Sequence, residues 1–366
     1  MDWKALLNKN IETIENLKEN SPLTQKELED MKKVLTHFPM SITKYYFSLI
    51  DWNHYQTDPI FRQSVPTMAE EDFTGSFDTS GEASNTKQRG LQHKYGPTAL
   101  VLTTSACAMY CRHCFRKRLV GKASQQEAGI SPDEVANYVI KHPEINNVLL
   151  SGGDAFMNTT NVLRDYIQKI LTLDQIDFIR FGTRVLVTFP QRIYEDRGLL
   201  ETLRRAIEQT QKQIYVITQF NHPKEITPES KKAVKLLQEA GVIIRNQTVL
   251  LKTVNDDPQI LGTLQSELTR IGVIPYYIFQ CRPVSGVKNQ FQVPLKEGVK
   301  IVSEAKQMLN GQGKGFRYIM SHPTGKIEVL GILNEELILK YHQAKDPKDH
   351  DKIIKVKIDE DQGWLD

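Results

Sequence analysis

From residue 98 onward, short aliphatic and β-branched runs alternate with longer stretches whose apolar residues recur every three or four positions. The short runs are TALVLTT (98–104), NVLLS ending at Ser151, TRVLVTF (183–189), QIYVITQF (213–220), VIIRNQTVL (242–250) and VIPYYIFQ (273–280). Between them lie SPDEVANYVIKH, TNVLRDYIQKI, GLLETLRRAIEQ, PESKKAVKLLQEA and DPQILGTLQSELTRI, all with helical periodicity. Six strands separated by helices predict parallel βα units, right-handed crossovers and a site at the strands' C-terminal ends. Polar residues recur just after many successive strands, which favours an open or partial (β/α) barrel over a doubly wound sheet with its single crevice.

The first 95 residues read differently, as a helical region with few strand runs. Thr24 and Glu27 stand at capping-box spacing, and SITKYYFSLI within 40–52 reads as an aromatic helix packed on the main body. Residues 70–86 are acidic and rich in Gly and Ser, the composition of a loop or linker. Beyond residue 315, GFRYIMSHPTGKIEVLGI predicts a strand, a Pro-Gly turn and a second strand, followed by a charged tail. The expected organisation is therefore a helical region and linker over 1–95, a partial barrel over 96–315 and a short C-terminal extension over 316–366.

Composition narrows the class of function. The 366 residues are 40% hydrophobic and 25% charged, ordinary for globular chains. Lys and Arg exceed Asp and Glu by only 47 to 44, so no basic field argues for nucleic acid. No signal sequence and no run of 18 apolar residues is read, which argues against a membrane span and makes a cytoplasmic, reducing setting the default.

In such a setting clustered thiols serve metal or redox chemistry more often than disulfides. Three of the four cysteines, Cys107, Cys111 and Cys114, fall within eight residues directly after the first strong strand. Soft thiolates on one loop suit an iron–sulfur cluster or zinc. Only Cys281, at the end of the sixth strand, could complete an all-cysteine zinc site; without it, one iron of a cluster keeps an open position.

The C-x3-C-x2-C spacing resembles that of radical S-adenosylmethionine enzymes, and the chain as a whole resembles the lysine 2,3-aminomutase family. The supporting stretches are DPIFRQSVP (58–66), CAMYCRHCFRKR (107–118), LLSGGDAF (149–156), GTRVLVTFPQRI (182–193), TQFNHPKEIT (218–227), NQTVLLKTVND (246–256) and PYYIFQC (275–281), in consistent order from about residue 40 to about residue 330. The resemblance implies that Cys107, Cys111 and Cys114 bind a 4Fe–4S cluster whose free iron holds S-adenosylmethionine. Reductive cleavage then yields a 5′-deoxyadenosyl radical that removes hydrogen from the substrate, with a flavodoxin or ferredoxin-type protein as reductant. The cofactor carries the radical chemistry while the protein positions atoms and excludes competing reactions.

Further roles follow from the same resemblance. Ser151, Gly152, Gly153 and Asp154 match the segment that receives the methionyl part, although SGGD alone is more often just a tight strand–helix turn. Gln247 matches a cofactor-contacting glutamine, or else satisfies buried backbone. Gln219 stands where the lysine enzyme has His, so a role requiring imidazole does not transfer. Lys326 follows Gly325 where the family attaches pyridoxal phosphate, but three of the family's four glycines are missing, and a solvated turn lysine is the competing reading. Lys94 and Tyr95 replace an Arg-Tyr pair at the phosphate end. Tyr276 and Tyr277 match family aromatics, one of them packing on the pyridine ring; Tyr277 is taken as the cofactor-facing one.

At the substrate end, Arg116 matches the family arginine that binds the α-carboxylate, or is a surface residue of the RKR run. Arg282 replaces the Asp that receives lysine's ammonium, with Ser321 or His322 near the second Asp. This charge reversal points to glutamate, aspartate or another acidic amino acid, unless Arg282 pairs with an internal carboxylate. No cysteine follows Cys281, so the family's intersubunit zinc site is absent, while a homo-oligomer stays open. The leading expectation is a 2,3-aminomutase making a β-amino acid; a related radical enzyme without pyridoxal phosphate and a non-catalytic iron–sulfur protein are the alternatives.

Overall fold

The computed structural model describes residues 3–119 and 127–365. Its frame is one twelve-stranded sheet in sequential order: β1 Thr86–Gln88, β2 Leu91–Tyr95, β3 Thr98–Thr104, β4 Asn147–Gly152, β5 Phe178–Gly182, β6 Gln213–Thr218, β7 Ile243–Leu250, β8 Ile274–Gln280, β9 Arg317–His322, β10 Gly325–Leu333, β11 Glu336–Ala344 and β12 Ile353–Lys357. Strands β3 to β9 pair in parallel, and the strands at both ends pair antiparallel. The sheet does not close on itself, so the fold is the expected partial (β/α) barrel. Its parallel part has seven strands rather than six, because β9 joins β8 in parallel instead of forming only an appended hairpin.

The crossover helices form where the periodicity places them, and their starts are written in the sequence. Ser131 and Glu134 make a capping box around Pro132–Ile140, and Thr159, Asp196, Thr227 and Asp257 cap the next four crossover helices. Helix Arg197–Thr210 turns Leu199, Leu203 and Ala206 inward at helical spacing. In the N-terminal region, Thr24 and Glu27 form the expected box. Trp3, Ile11, Leu17 and Tyr46 join the same apolar core as Val101, Leu150, Phe181 and Val216 of the sheet. Burying each such side chain contributes about 1.5–3 kcal/mol, which holds the helical region against the barrel.

One sequence expectation is corrected. The run 183–189 is not a strand: Val185–Thr188 is a short, fully buried helix, and the third parallel strand is the preceding FIRFG. A continuous apolar run fits a buried helical turn as well as a strand, whereas Arg180 and Gly182 mask the real strand. Strand β11 runs into the charged tail that begins at Tyr341, with Leu337, Leu339 and Tyr341 alternating inward to pack with Ile327 and Val329, and β12 lies within that tail. Among the described residues, no helix is long and apolar enough to cross a membrane.

Candidate active site

The parallel strands send their C-terminal ends to one edge, and there a cavity of about 740 Å³ opens. Cys107, Cys111 and Cys114 line it from the loop after β3, half-buried, while Cys281 packs into a small apolar cluster with Leu251 and Phe291. A buried charge group sits beneath the loop. Glu70 accepts from Arg112 Nε at 2.9 Å and from Lys117 Nζ at 2.5 Å. Burial pushes the Glu70 carboxyl up, but the two cations outweigh it and hold it below its ordinary range. Burial pushes the Cys114 thiol up to about 11 and the Cys107 thiol up as well, so without a metal these sulfurs stay protonated.

Two strand-end residues reach the loop. Arg184, directly beyond β5, donates from Nη1 to Cys111 Sγ at 2.8 Å, and its Nη2 holds Glu225 and Gln63, both at 2.7 Å. Gln219 donates to His113 Nε2 at 2.9 Å. Burial lowers the His113 pKa, so the ring is neutral, and its buried Nδ1 has no protein partner.

The SGGD segment closes the wall beside the loop. Gly152 adopts φ +129°, and a Cβ there would collide with the Thr104 carbonyl oxygen, as one on Gly153 would with Ala106. The amides of Gly153 and Asp154 bond to those same carbonyls, at 2.7 and 2.8 Å. The Asp154 carboxylate accepts from Thr183 Oγ1 and from the Arg184 amide, both at 2.6 Å, while the residue lines the cavity. Asp154 therefore fixes the β4 turn against the β5 end. The glycines let that turn come close to the cysteine loop.

Across the cavity, β8 to β11 supply the remaining wall. Lys326 Nζ donates to Gln343 Oε1 at 2.9 Å and stands 4.8 Å from the Tyr95 ring centroid. Burial, with Arg180, Lys94 and Arg282 adding, lowers its pKa to about 7. Lys94 bonds the His322 carbonyl at 2.7 Å, and burial lowers its pKa to about 8. Tyr277 stacks on Tyr276 at 3.9 Å and bonds His342 Nε2 at 2.8 Å. Arg282 lies 4.2 Å over Phe115 and donates from Nη2 to Ser321 at 2.9 Å, leaving buried Nη1 unpartnered. Arg116 donates from Nε to Glu82 at 2.7 Å and from Nη1 to Ser151 at 3.2 Å.

The site residues singled out from sequence, Gln247 included, line this one cavity, except His322, whose neighbour Ser321 does. Sequence reading missed Arg180, Arg184, Glu82, His342 and Gln343, which line it too. The signal available for Arg184 was a charged residue at the head of an otherwise apolar run; Glu82 had none. Six basic side chains (Lys94, Arg116, Arg180, Arg184, Arg282 and Lys326) face two acidic ones (Glu82 and Asp154), so the cavity suits anionic groups. Three soft donors on one loop, unpartnered polar atoms on His113 and Arg282 and a glycine-lined wall fit an iron–sulfur cluster beside a polar organic cofactor.

A family model described as a 4Fe-4S single cluster domain matches residues 95–182, from the end of β2 through β5. A relative from Aquifex aeolicus, provisionally named an L-lysine 2,3-aminomutase, is 39% identical over 360 residues, covering 98% of this chain and 96% of that one. The L-lysine 2,3-aminomutase of Fusobacterium nucleatum is 36% identical, covering 88% of this chain and 74% of its own. The chain belongs to the lysine 2,3-aminomutase family. Within this family sits also the glutamate 2,3-aminomutase of Clostridioides difficile, 36% identical, with coverage of 88% and 75%. As a family member the chain is an isomerase of the radical S-adenosylmethionine superfamily, using a 4Fe–4S cluster and S-adenosylmethionine.

Proposed function

We propose that this protein is a pyridoxal phosphate-dependent 2,3-aminomutase for an acidic amino acid, with glutamate the first candidate. The observation that carries the substrate is the half-buried Arg282 on the cavity wall, hydrogen-bonded through Nη2 to Ser321 and with its buried Nη1 unpartnered. Relatives named for lysine and for glutamate are about equally similar, so the charge of the pocket decides. A lysine ammonium approaching Arg282 would meet like charge, whereas a carboxylate would find a planar donor fork.

In this reading Cys107, Cys111 and Cys114 hold the cluster, and Gly152, Gly153, Gln219 and Gln247 shape the place of S-adenosylmethionine. These groups supply the radical that removes hydrogen from the substrate, and pyridoxal phosphate supplies the carbonyl carbon that carries the migrating nitrogen. Lys326 carries pyridoxal phosphate: its lowered pKa leaves a large share of neutral, nucleophilic amine at pH 7. Lys94 faces the phosphate, and Tyr95 and Tyr277 wall the ring. Arg116, its orientation fixed by Glu82 and Ser151, receives the α-carboxylate, and Arg282 the distal one. Residues 96–315 thus carry the radical chemistry and 316–366 supply Lys326, after the helical region and linker of 1–95. A flavodoxin or ferredoxin-type protein delivers the electron, in the cytoplasm, with the enzyme as a homo-oligomer.

The test is product formation by the anaerobically reconstituted enzyme on glutamate, aspartate, lysine and neutral amino acids. β-Glutamate should dominate; amino migration in aspartate returns aspartate, so its turnover is followed by exchange of isotope label between C2 and C3. Preference for lysine refutes the acidic substrate, and turnover without pyridoxal phosphate refutes the second cofactor.

A further inference from the structure

Outside the cavity wall, two histidines and a carboxylate converge. His93 lies on β2, His142 just past helix Pro132–Ile140, and Glu144 two residues further on. One ligand atom from each lies within 4.8 Å of the other two, with the histidines half-buried and Glu144 exposed.

The rings are set for coordination by their other nitrogens. His142 Nδ1 is 2.8 Å from the Tyr138 carbonyl and His93 Nε2 is 2.9 Å from the Gly96 carbonyl. A carbonyl only accepts, so both of these nitrogens carry the proton, leaving lone pairs on His142 Nε2 and His93 Nδ1. Tyr138 holds the pair in place. Its ring stacks on His142 at 3.9 Å, and its hydroxyl donates to His93 Nδ1 at 3.1 Å. Histidines that bind metals characteristically donate their second N–H to a carbonyl or carboxylate, which fixes tautomer and ring direction. Here both do so.

We propose that His93, His142 and Glu144 bind a divalent transition-metal ion at a structural site separate from the cysteine loop. Two imidazoles and a carboxylate, with water completing the shell, suit zinc. The site joins the β2–β3 turn to the segment entering β4, where Pro97 O already accepts from the amides of Asn146 at 3.1 Å and Asn147 at 3.2 Å. Lys94, Tyr95 and Asn147 of these two segments line the catalytic cavity. An ion bound here would clamp that wall from outside, and the proposal does not depend on the substrate or on pyridoxal phosphate.

The test uses the full chain with its cluster loaded, stripped of loosely bound metal and titrated with zinc alone. One zinc should bind beyond the iron, and His93→Gln and His142→Gln should each weaken it by about 10- to 100-fold. Tyr138→Phe should bind at least as tightly, since the hydroxyl competing for His93 Nδ1 is gone. Iron and sulfide content identifies any variant that fails to fold. Cobalt in the unaltered protein gives a second readout, and its difference spectrum against the cobalt-free protein should show ligand-field bands with no cobalt–thiolate charge transfer. Absence of zinc beyond the iron, equal affinity in both folded histidine variants, or a thiolate band would overturn the site.

Discussion

Arg184 donates a hydrogen bond to Cys111 Sγ across 2.8 Å, and the same guanidinium clamps buried Glu225 and Gln63. If Cys111 ligates the cluster, this N–H draws electron density from the ligand sulfur and favours the reduced state. Arg184→Gln would also strand the Glu225 carboxylate, a loss of about 3–5 kcal/mol. Arg184→Lys keeps the charge without the planar fork and is the informative variant. Its midpoint potential should fall by on the order of tens of millivolts in an EPR-monitored redox titration. An unchanged potential would mean that the bond is not made in the loaded enzyme.

The close approach of the SGGD turn to the cysteine loop makes a steric prediction. In Gly153→Ala the new Cβ meets the carbonyl oxygens of Ala106 and Ser105, and forcing it in should cost about 1–3 kcal/mol. The melting temperature should fall and less iron should load. Gly311→Ala, where a Cβ meets nothing within 4 Å, is the control. Equal behaviour of the two variants would show that the turn does not need its glycine.

Lys326 gives a pH dependence whose sign is fixed. Its pKa falls from 10.5 to about 7, first through burial and then through Arg180, Lys94 and Arg282. Between these values the unfolded chain binds a proton that the folded chain does not, so the stability of cofactor-free protein rises with pH across this window. Lys326→Met should remove that part of the slope and be more stable at neutral pH, as read by urea unfolding between pH 7 and 10. Borohydride should fix pyridoxal phosphate to the peptide containing Lys326 increasingly as pH passes about 7. Parallel unfolding slopes for the two proteins would place this lysine in water.

Much of this arrangement was legible in the chain, and the exceptions share a cause. Strands such as TALVLTT and QIYVIT are apolar on both faces and bounded by helical periodicity, so they stand out. FIRFG does not, because Arg180 points into the cavity and interrupts the apolar pattern just where the barrel turns a cation toward its ligands. Likewise ELILKYHQA hides its alternation of Leu337, Leu339 and Tyr341 behind charged partners, and with it His342 and Gln343, which meet Tyr277 and Lys326. The cysteine loop stood out by its spacing directly after a strand, which left iron–sulfur and zinc both open. Glu82 was not, since a carboxylate in a Gly/Ser-rich segment gives no hint that it is buried between Arg116 and Arg118.

Substrate choice should respond to one side chain. Arg282 stacks on Phe115 and bonds Ser321 on the cavity wall. A buried like-charge contact costs on the order of several kcal/mol, which exceeds what lysine's methylenes gain from the apolar wall. Arg282→Asp exchanges that repulsion for a pair with the ammonium, and nearby cations offset the cost of burying the new carboxylate. The variant should lose most turnover of glutamate and acquire turnover of lysine. Arg282→Gln separates charge from shape: it should weaken glutamate binding chiefly through a raised KM while gaining nothing for lysine. The measurement is product formation by all three proteins at matched iron content. Gain of lysine turnover in Arg282→Gln would mean that bulk rather than charge excludes lysine, and unchanged glutamate kinetics in Arg282→Asp would remove Arg282 from the substrate site.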